Sequence, residues 1–222
     1  MTKTIENLFV YCAIYSSLIP AILFLAFFKK AKNSILITVV SVYVLVEFVT
    51  NVVTAFLPLS VVKVLYSGFT IVEYLLFAIC FYLLIKSSLI KKGIVVLSSL
   101  FFVFAIFYFI FTKYKTLDSI PIGIETLLIL TYAFYYLYEE MNNPSQILIY
   151  NKYSFWIVGG IMIYLAGSFF IYVFANQVDA KTFRQYWMFT NIFTILKNIF
   201  FSISILVFLK LSKEVRVKNL FY

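Results

Sequence analysis

The feature that most constrains this chain is a repeated one: apolar runs of about 20 residues, each long enough to cross a hydrocarbon core of about 30 Å. They fall at roughly Leu8–Phe28, Ile35–Leu57, Val62–Ile85, Gly93–Phe111, Ser119–Leu137, Tyr153–Phe174 and Trp187–Leu209. Short polar breaks part them: KKAKNS, PLS, KSSLIKK, TKYKTLD, YEEMNNPSQ and NQVDAKTFRQ. A lipid-embedded backbone must satisfy its own hydrogen bonds within each segment, so runs of this length imply helices and exclude a β-barrel. The expected fold is all-α: a polytopic membrane protein, one transmembrane domain over residues 1–222, built as a bundle of seven helices. No break is long enough to hold a soluble domain.

Composition agrees with that class. Hydrophobic residues make up 64% of the 222 residues and charged residues 12%, against roughly 25% charged in soluble domains. A net charge of +9 does not point to nucleic acid, because the basic residues cluster in the breaks as topology signals do. Lys29, Lys30, Lys32, Lys86, Lys91, Lys92, Lys152, Lys210, Lys213, Arg216 and Lys218 fall on one side; Lys3, Lys63, Lys113, Lys115, Lys181 and Arg184 fall on the other. The richer side is expected to be cytoplasmic, with the C-terminus there and the N-terminus outside. The first run ends in AFFKKAKNS without a small-residue cleavage pattern, so it is expected to be a retained span.

Histidine is absent, which removes the commonest general base and zinc ligand. No glycine-rich phosphate loop is present. An enzyme is not expected, nor a cofactor or a metal site. Cys12 and Cys80 both lie within spans and are expected to pack rather than to pair. Pro20 lies inside the first span, where it can kink the helix. GGIMIYLAGS places Gly160 and Gly167 on the sixth span, where small residues let helices approach closely.

Four ionisable residues sit inside the spans: Glu47, Glu73, Glu125 and Lys197. Such groups are costly in lipid and mark paired or cavity-facing positions. Glu47 and Glu73 lie near mid-span, Lys197 near the midplane, and Glu125 about six residues into its span, in the outer half. Asn51 lies one turn from Glu47, and Thr70 three residues before Glu73. Asn191, Thr194 and Asn198 form a polar stripe beside Lys197. These stripes are expected to face the bundle interior. One carboxylate is expected to pair with Lys197, and at least one other to be protonated or to hold a cation or a basic ligand. A purely structural role, fixing helix order and rotation, explains such a pair as well. The segments EYLLFAICFYLL and ETLLILTYAFYYL, from Glu73 and Glu125, form a weak repeat that chance explains equally well.

Seven helices with a lysine midway along the last look like a retinal protein, with Glu73 as a counterion. This sequence departs from that family at Phe193, where an acidic residue is usual one turn before the lysine, and in the lack of proline from span six. The Phe, Ile, Tyr and Lys bias and the patterns TIVEYLLFAICFYLL and FWIVGGIMIYLAGSFF resemble uncharacterised seven-helix inner-membrane proteins of Bacteroidota. That resemblance implies a bacterial inner-membrane location and an association with signalling partners, but no activity. Membrane accessories of bacterial immunity systems have similar size and composition.

The reading that follows is an integral membrane sensor, signalling or accessory protein. Glu47, Asn51, Glu73, Glu125, Asn191, Thr194 and Lys197 would line a polar pocket open to the outside. Its partners would be the lipid bilayer and, through the basic tail LKLSKEVRVKNLFY, a cytoplasmic protein; a homo-oligomer is the alternative. That tail serves equally as a lipid-headgroup anchor. The rival function is a small proton, cation or solute carrier or channel using the same carboxylates.

Overall fold

A computed structural model of the chain describes residues 3–111, 119–142, 148–174 and 180–218. The predicted break TKYKTLD, with Lys113 and Lys115, lies outside the described residues. So do 143–147, 175–179 and the last four residues of the basic tail.

Among the described residues the regular structure is helical: α1 (Lys3–Ser16), α2 (Leu18–Ala26), α3 (Phe28–Ala31), α4 (Ile35–Thr54), α5 (Leu59–Leu84), α6 (Ser88–Phe111), α7 (Ser119–Asn142), α8 (Tyr153–Phe174) and α9 (Ala180–Lys218), with a 3-10 turn at Ile149–Asn151. Seven stretches are long and apolar enough to cross a membrane, with α1 and α2 forming one of them. The chain is therefore an all-α, multi-pass bundle.

Neighbouring spans run antiparallel. At one end, here the closed end, Ser34 donates to the Tyr153 hydroxyl at 3.5 Å, and the Tyr153 ring packs edge-on against Phe208. The opposite end carries the α4–α5 turn and the starts of α7 and α9. α9 packs against α1, α2, α4 and α8, whereas α6 packs chiefly against α5 and α7. Only 17% of the apolar window of α6 is buried, against 33–44% in the other spans. Its Leu100, Phe107 and Ile110 face outward, which suits a helix at the lipid rim.

Local chemistry explains where the helices break. Pro20 has no N–H, so the Ser16 carbonyl loses its helical donor. The Ser16 and Ser17 hydroxyls donate back to the carbonyls of Ala13 and Ile14 at 2.7 and 2.6 Å. The helix is interrupted at Ser17, one turn before the proline that causes it. Pro58 caps α5 with a φ of −67°.

α8 and α9 approach closely because α8 lacks side chains at the contact. A Cβ on Gly160 would lie 3.0 Å from Phe200 Cβ and 3.3 Å from the Lys197 carbonyl oxygen, and one on Gly167 would lie 2.5 Å from the Phe193 ring. Gly159 adds a third such position, against Phe200 at 3.1 Å. The small residues thus set the depth at which the Lys197 turn enters the bundle.

Several boundaries differ from the hydropathy runs. α6 begins at Ser88 rather than Gly93, and α7 continues to Asn142 rather than ending near Leu137. The α7 extension carries Glu139 and Glu140, whose carboxylates are held at the closed end. Glu139 accepts from the backbone N–H groups of Lys86 and Ser87 at 2.7 and 2.9 Å. Glu140 pairs with Lys86 at 2.9 Å and also with Lys152. Hydropathy falls at YEE, yet these contacts keep the helix intact. The two thiols also differ: Cys80 is buried, but Cys12 is exposed on the outer face of α1 instead of packing inside.

Candidate binding site

The site starts with helical spacing. Tyr43, Glu47 and Asn51 recur every four residues on α4 and so share one face. Tyr66, Thr70 and Glu73 do nearly the same on α5, where the Thr70 hydroxyl donates to the Tyr66 carbonyl at 3.1 Å. These two faces meet α9, brought in by the glycine contact of α8.

Lys197 is completely buried. Its ammonium donates to Glu47 Oε1 at 2.6 Å and to the Tyr43 hydroxyl at 2.5 Å. Nζ also lies 4.1 Å from the ring centroid of Tyr164 and 4.6 Å from that of Tyr43. An ammonium has three N–H donors; two oxygens and an aromatic face account for all of them. The Tyr43 hydroxyl in turn donates to Glu73 Oε1 at 2.7 Å, and Tyr164 also hydrogen-bonds Glu73. The result is a relay across three helices: Glu47, Lys197, Tyr43, Glu73.

Above this relay lies a cavity of about 380 Å³. Glu47 and Asn51 line it from α4, Glu73 and Thr70 from α5, and Glu125 from α7. Asn191, Thr194, Thr190 and Trp187 line it from α9, and Tyr164 from α8. Thr54, Ala55 and Val62, beside the α4–α5 turn, form part of its rim. Ala13 and Ile14 of α1 form part of an apolar wall.

Six of the seven residues singled out in the sequence thus lie around one cavity. Lys197 does not; it sits behind the floor, reached through Glu47 and Tyr43. Asn198 of the same polar stripe also turns away. Its amide donates to Ser16 Oγ at 2.9 Å, fastening α9 to the break between α1 and α2.

Two carboxylate oxygens at the cavity are buried without a hydrogen-bond partner among the described residues: Glu47 Oε2 and Glu125 Oε1. Glu125 is 1% exposed and lies within electrostatic range of Glu73. Among the described residues no three His, Cys, Asp or Glu side chains are grouped closely enough to hold a metal ion.

Tyr43 and Tyr164 are the participants that sequence reasoning missed. Tyrosine occurs 18 times here, and nothing marks these two beyond Tyr43 standing one turn before Glu47. Below the relay the core is largely apolar, with Phe77, Phe81, Phe201, Ile157, Ile161 and Ile205 all buried. Ser41 and Ser204 spend their hydroxyls on their own helices, on the Ile37 and Phe201 carbonyls. The buried hydroxyls on this side are paired as well: Tyr74 with Ser98 and Tyr132, and Tyr136 with Ser154.

No protein-family model matches this chain, and no curated protein or solved structure does either.

Proposed function

We propose that this protein is a membrane sensor that binds a small ligand in the cavity and relays occupancy through α9 to a cytoplasmic partner. The observation that carries the reading is the cavity floored by the Lys197–Glu47 pair. A carrier needs a polar route to both faces; below Tyr43 the described residues form a packed, largely apolar layer in which the hydroxyls of Tyr74, Tyr132 and Tyr136 are already paired with one another or with serines.

The distribution of Lys and Arg supports a cavity mouth on the outside and a cytoplasmic C-terminus, and the resemblance to seven-helix proteins of Bacteroidota supports a bacterial inner membrane. α9 suits the relay. At 1.5 Å per residue its 39 residues span about 58 Å, well beyond the hydrocarbon core. The sequence of its end, with Lys210, Lys213, Arg216 and Lys218, suits a protein partner or anionic headgroups.

Flux in proteoliposomes tests this reading against the carrier. The expected result is no proton or cation flux above that of empty vesicles. Sustained flux that Glu73→Gln abolishes would overturn the sensor in favour of the carrier.

A further inference from the structure

We infer that the cavity's ligand is a protonated amine with a small hydrocarbon body, held by Glu125 and Glu47. This deepens the proposal that the cavity binds a ligand, and rests on it.

The argument begins with unmatched acceptors. Glu125 Oε1 and Glu47 Oε2 are buried and unpartnered among the described residues, and both residues line the cavity. A buried acceptor without a donor is expensive to leave so, more when it carries charge. Lys197 cannot serve Glu125, because its three donors already face Glu47, Tyr43 and the Tyr164 ring. Three carboxylates and one ammonium leave the site short of positive charge. A group that is cationic and carries N–H answers both the unmatched acceptors and the excess of carboxylates.

The remaining lining describes the rest of the ligand. Tyr66, Phe69, Tyr164 and Trp187 surround the same space; aromatic faces accept both hydrocarbon and the positive edge of an ammonium. A volume of about 380 Å³ falls in the range of small-molecule pockets and far exceeds a bare ion. No trio of metal-ligating side chains is grouped among the described residues, so an organic cation fits better than a metal. A quaternary ammonium would satisfy the charge but not the two acceptors.

The test uses the full chain in lipid nanodiscs, with Trp187 fluorescence as the readout. The chain has two tryptophans; Trp156 packs on Phe200 and bonds the Tyr150 carbonyl near the closed end, so Trp156→Phe isolates the cavity signal. Phenethylamine is compared with its N,N,N-trimethyl analogue, phenethyl alcohol and phenylacetate. Saturable quenching or enhancement is expected for the amine alone. Glu125→Gln, with its melting temperature preserved, is expected to weaken amine binding by roughly 10- to 100-fold. Equal binding of the alcohol, the carboxylate or the trimethyl analogue would overturn the amine assignment and leave a ligand-binding cavity standing. Unchanged affinity in Glu125→Gln would do the same. No response to any of the four probes would also overturn the amine, leaving the sensor reading to the flux assay. Should Glu125→Gln not fold, the analogue series decides alone.

Discussion

Lys197 of α9 and Glu47 of α4 meet at 2.6 Å with the lysine wholly out of solvent. The pair joins helices that are 150 residues apart in the chain, and both partners have further contacts or an open valence. Lys197 also engages Tyr43, while Glu47 keeps one oxygen free at the cavity. A buried pair of this kind is weak evidence for stability in itself, because desolvation offsets the attraction. Glu47 also lines the cavity, so the pair lies where a change in the cavity's contents would be felt.

Removing one partner should therefore be far worse than removing both. Lys197→Met leaves Glu47 buried with no ammonium and is expected to destabilise the bundle by about 3–5 kcal/mol. The double variant Lys197→Met, Glu47→Leu is expected to recover most of that loss. Thermal melts of the two single variants and the double variant in one detergent make the cycle. Equal loss in the single lysine variant and the double variant would mean that the pair is not the source of the effect.

Tyr43 is the link between the lysine and Glu73. Tyr43→Phe keeps the ring that lies 4.6 Å from Phe77 but deletes the hydroxyl. Membrane-embedded hydrogen bonds average under 1 kcal/mol, and those to charged groups reach more, so a loss of about 1–2 kcal/mol is expected. The same variant should uncouple Glu73 from Lys197: infrared difference spectra of the carboxyl region should show Glu73 no longer responding to Lys197→Met. A stability loss with that response intact would place the effect in packing.

The sequence made depth legible and left azimuth hidden. A charge inside an apolar run announces itself, and so Glu47, Glu73, Glu125 and Lys197 could be placed along the bundle axis by counting residues. Which glutamate meets Lys197 depends on helix neighbours, and those follow from contacts such as Gly160 against the α9 backbone. Tyr43 and Tyr164 stayed invisible because a tyrosine in a membrane span reads as belt or core until its hydroxyl is seen between two charges. Glu139 and Glu140 were misread for the opposite reason. They stand where an apolar run ends, so they looked like a break, although their partners at Lys86, Ser87 and Lys152 hold them within α7.

Gly160 is expected to resist replacement. Its added Cβ would meet backbone and Cβ atoms of α9, which cannot rotate away. Gly160→Ala should cost about 1–3 kcal/mol through overpacking and displace the Lys197 turn, weakening the Glu47 contact. Gly93 on α6 is the control, since nothing lies within 4 Å of its added Cβ. Gly93→Ala should be neutral or slightly stabilising, by up to about 1 kcal/mol from helix propensity. Melting temperatures separate the two; a neutral Gly160→Ala would mean that α8 and α9 have slack at this point.

At the closed end, Glu139 and Glu140 look alike but should differ in worth. Glu140 bridges Lys86, whose side chain is 59% exposed, and Lys152, at 22%; such solvent-reached ion pairs contribute about 0–1 kcal/mol each. Glu140→Gln should thus cost about 1 kcal/mol, and less still at high salt. Glu139 instead terminates two backbone donors where the chain turns from α5 into α6. Glu139→Ala leaves the N–H groups of Lys86 and Ser87 without that acceptor and should cost about 1–3 kcal/mol. Glu139→Gln, whose amide oxygen can still accept, should lose less. Amide hydrogen exchange at Lys86 and Ser87 checks the cause directly: it should accelerate in Glu139→Ala and stay near wild type in Glu140→Gln. Acceleration in both variants alike would mean that the ion pairs, not the carboxylate cap, hold this turn.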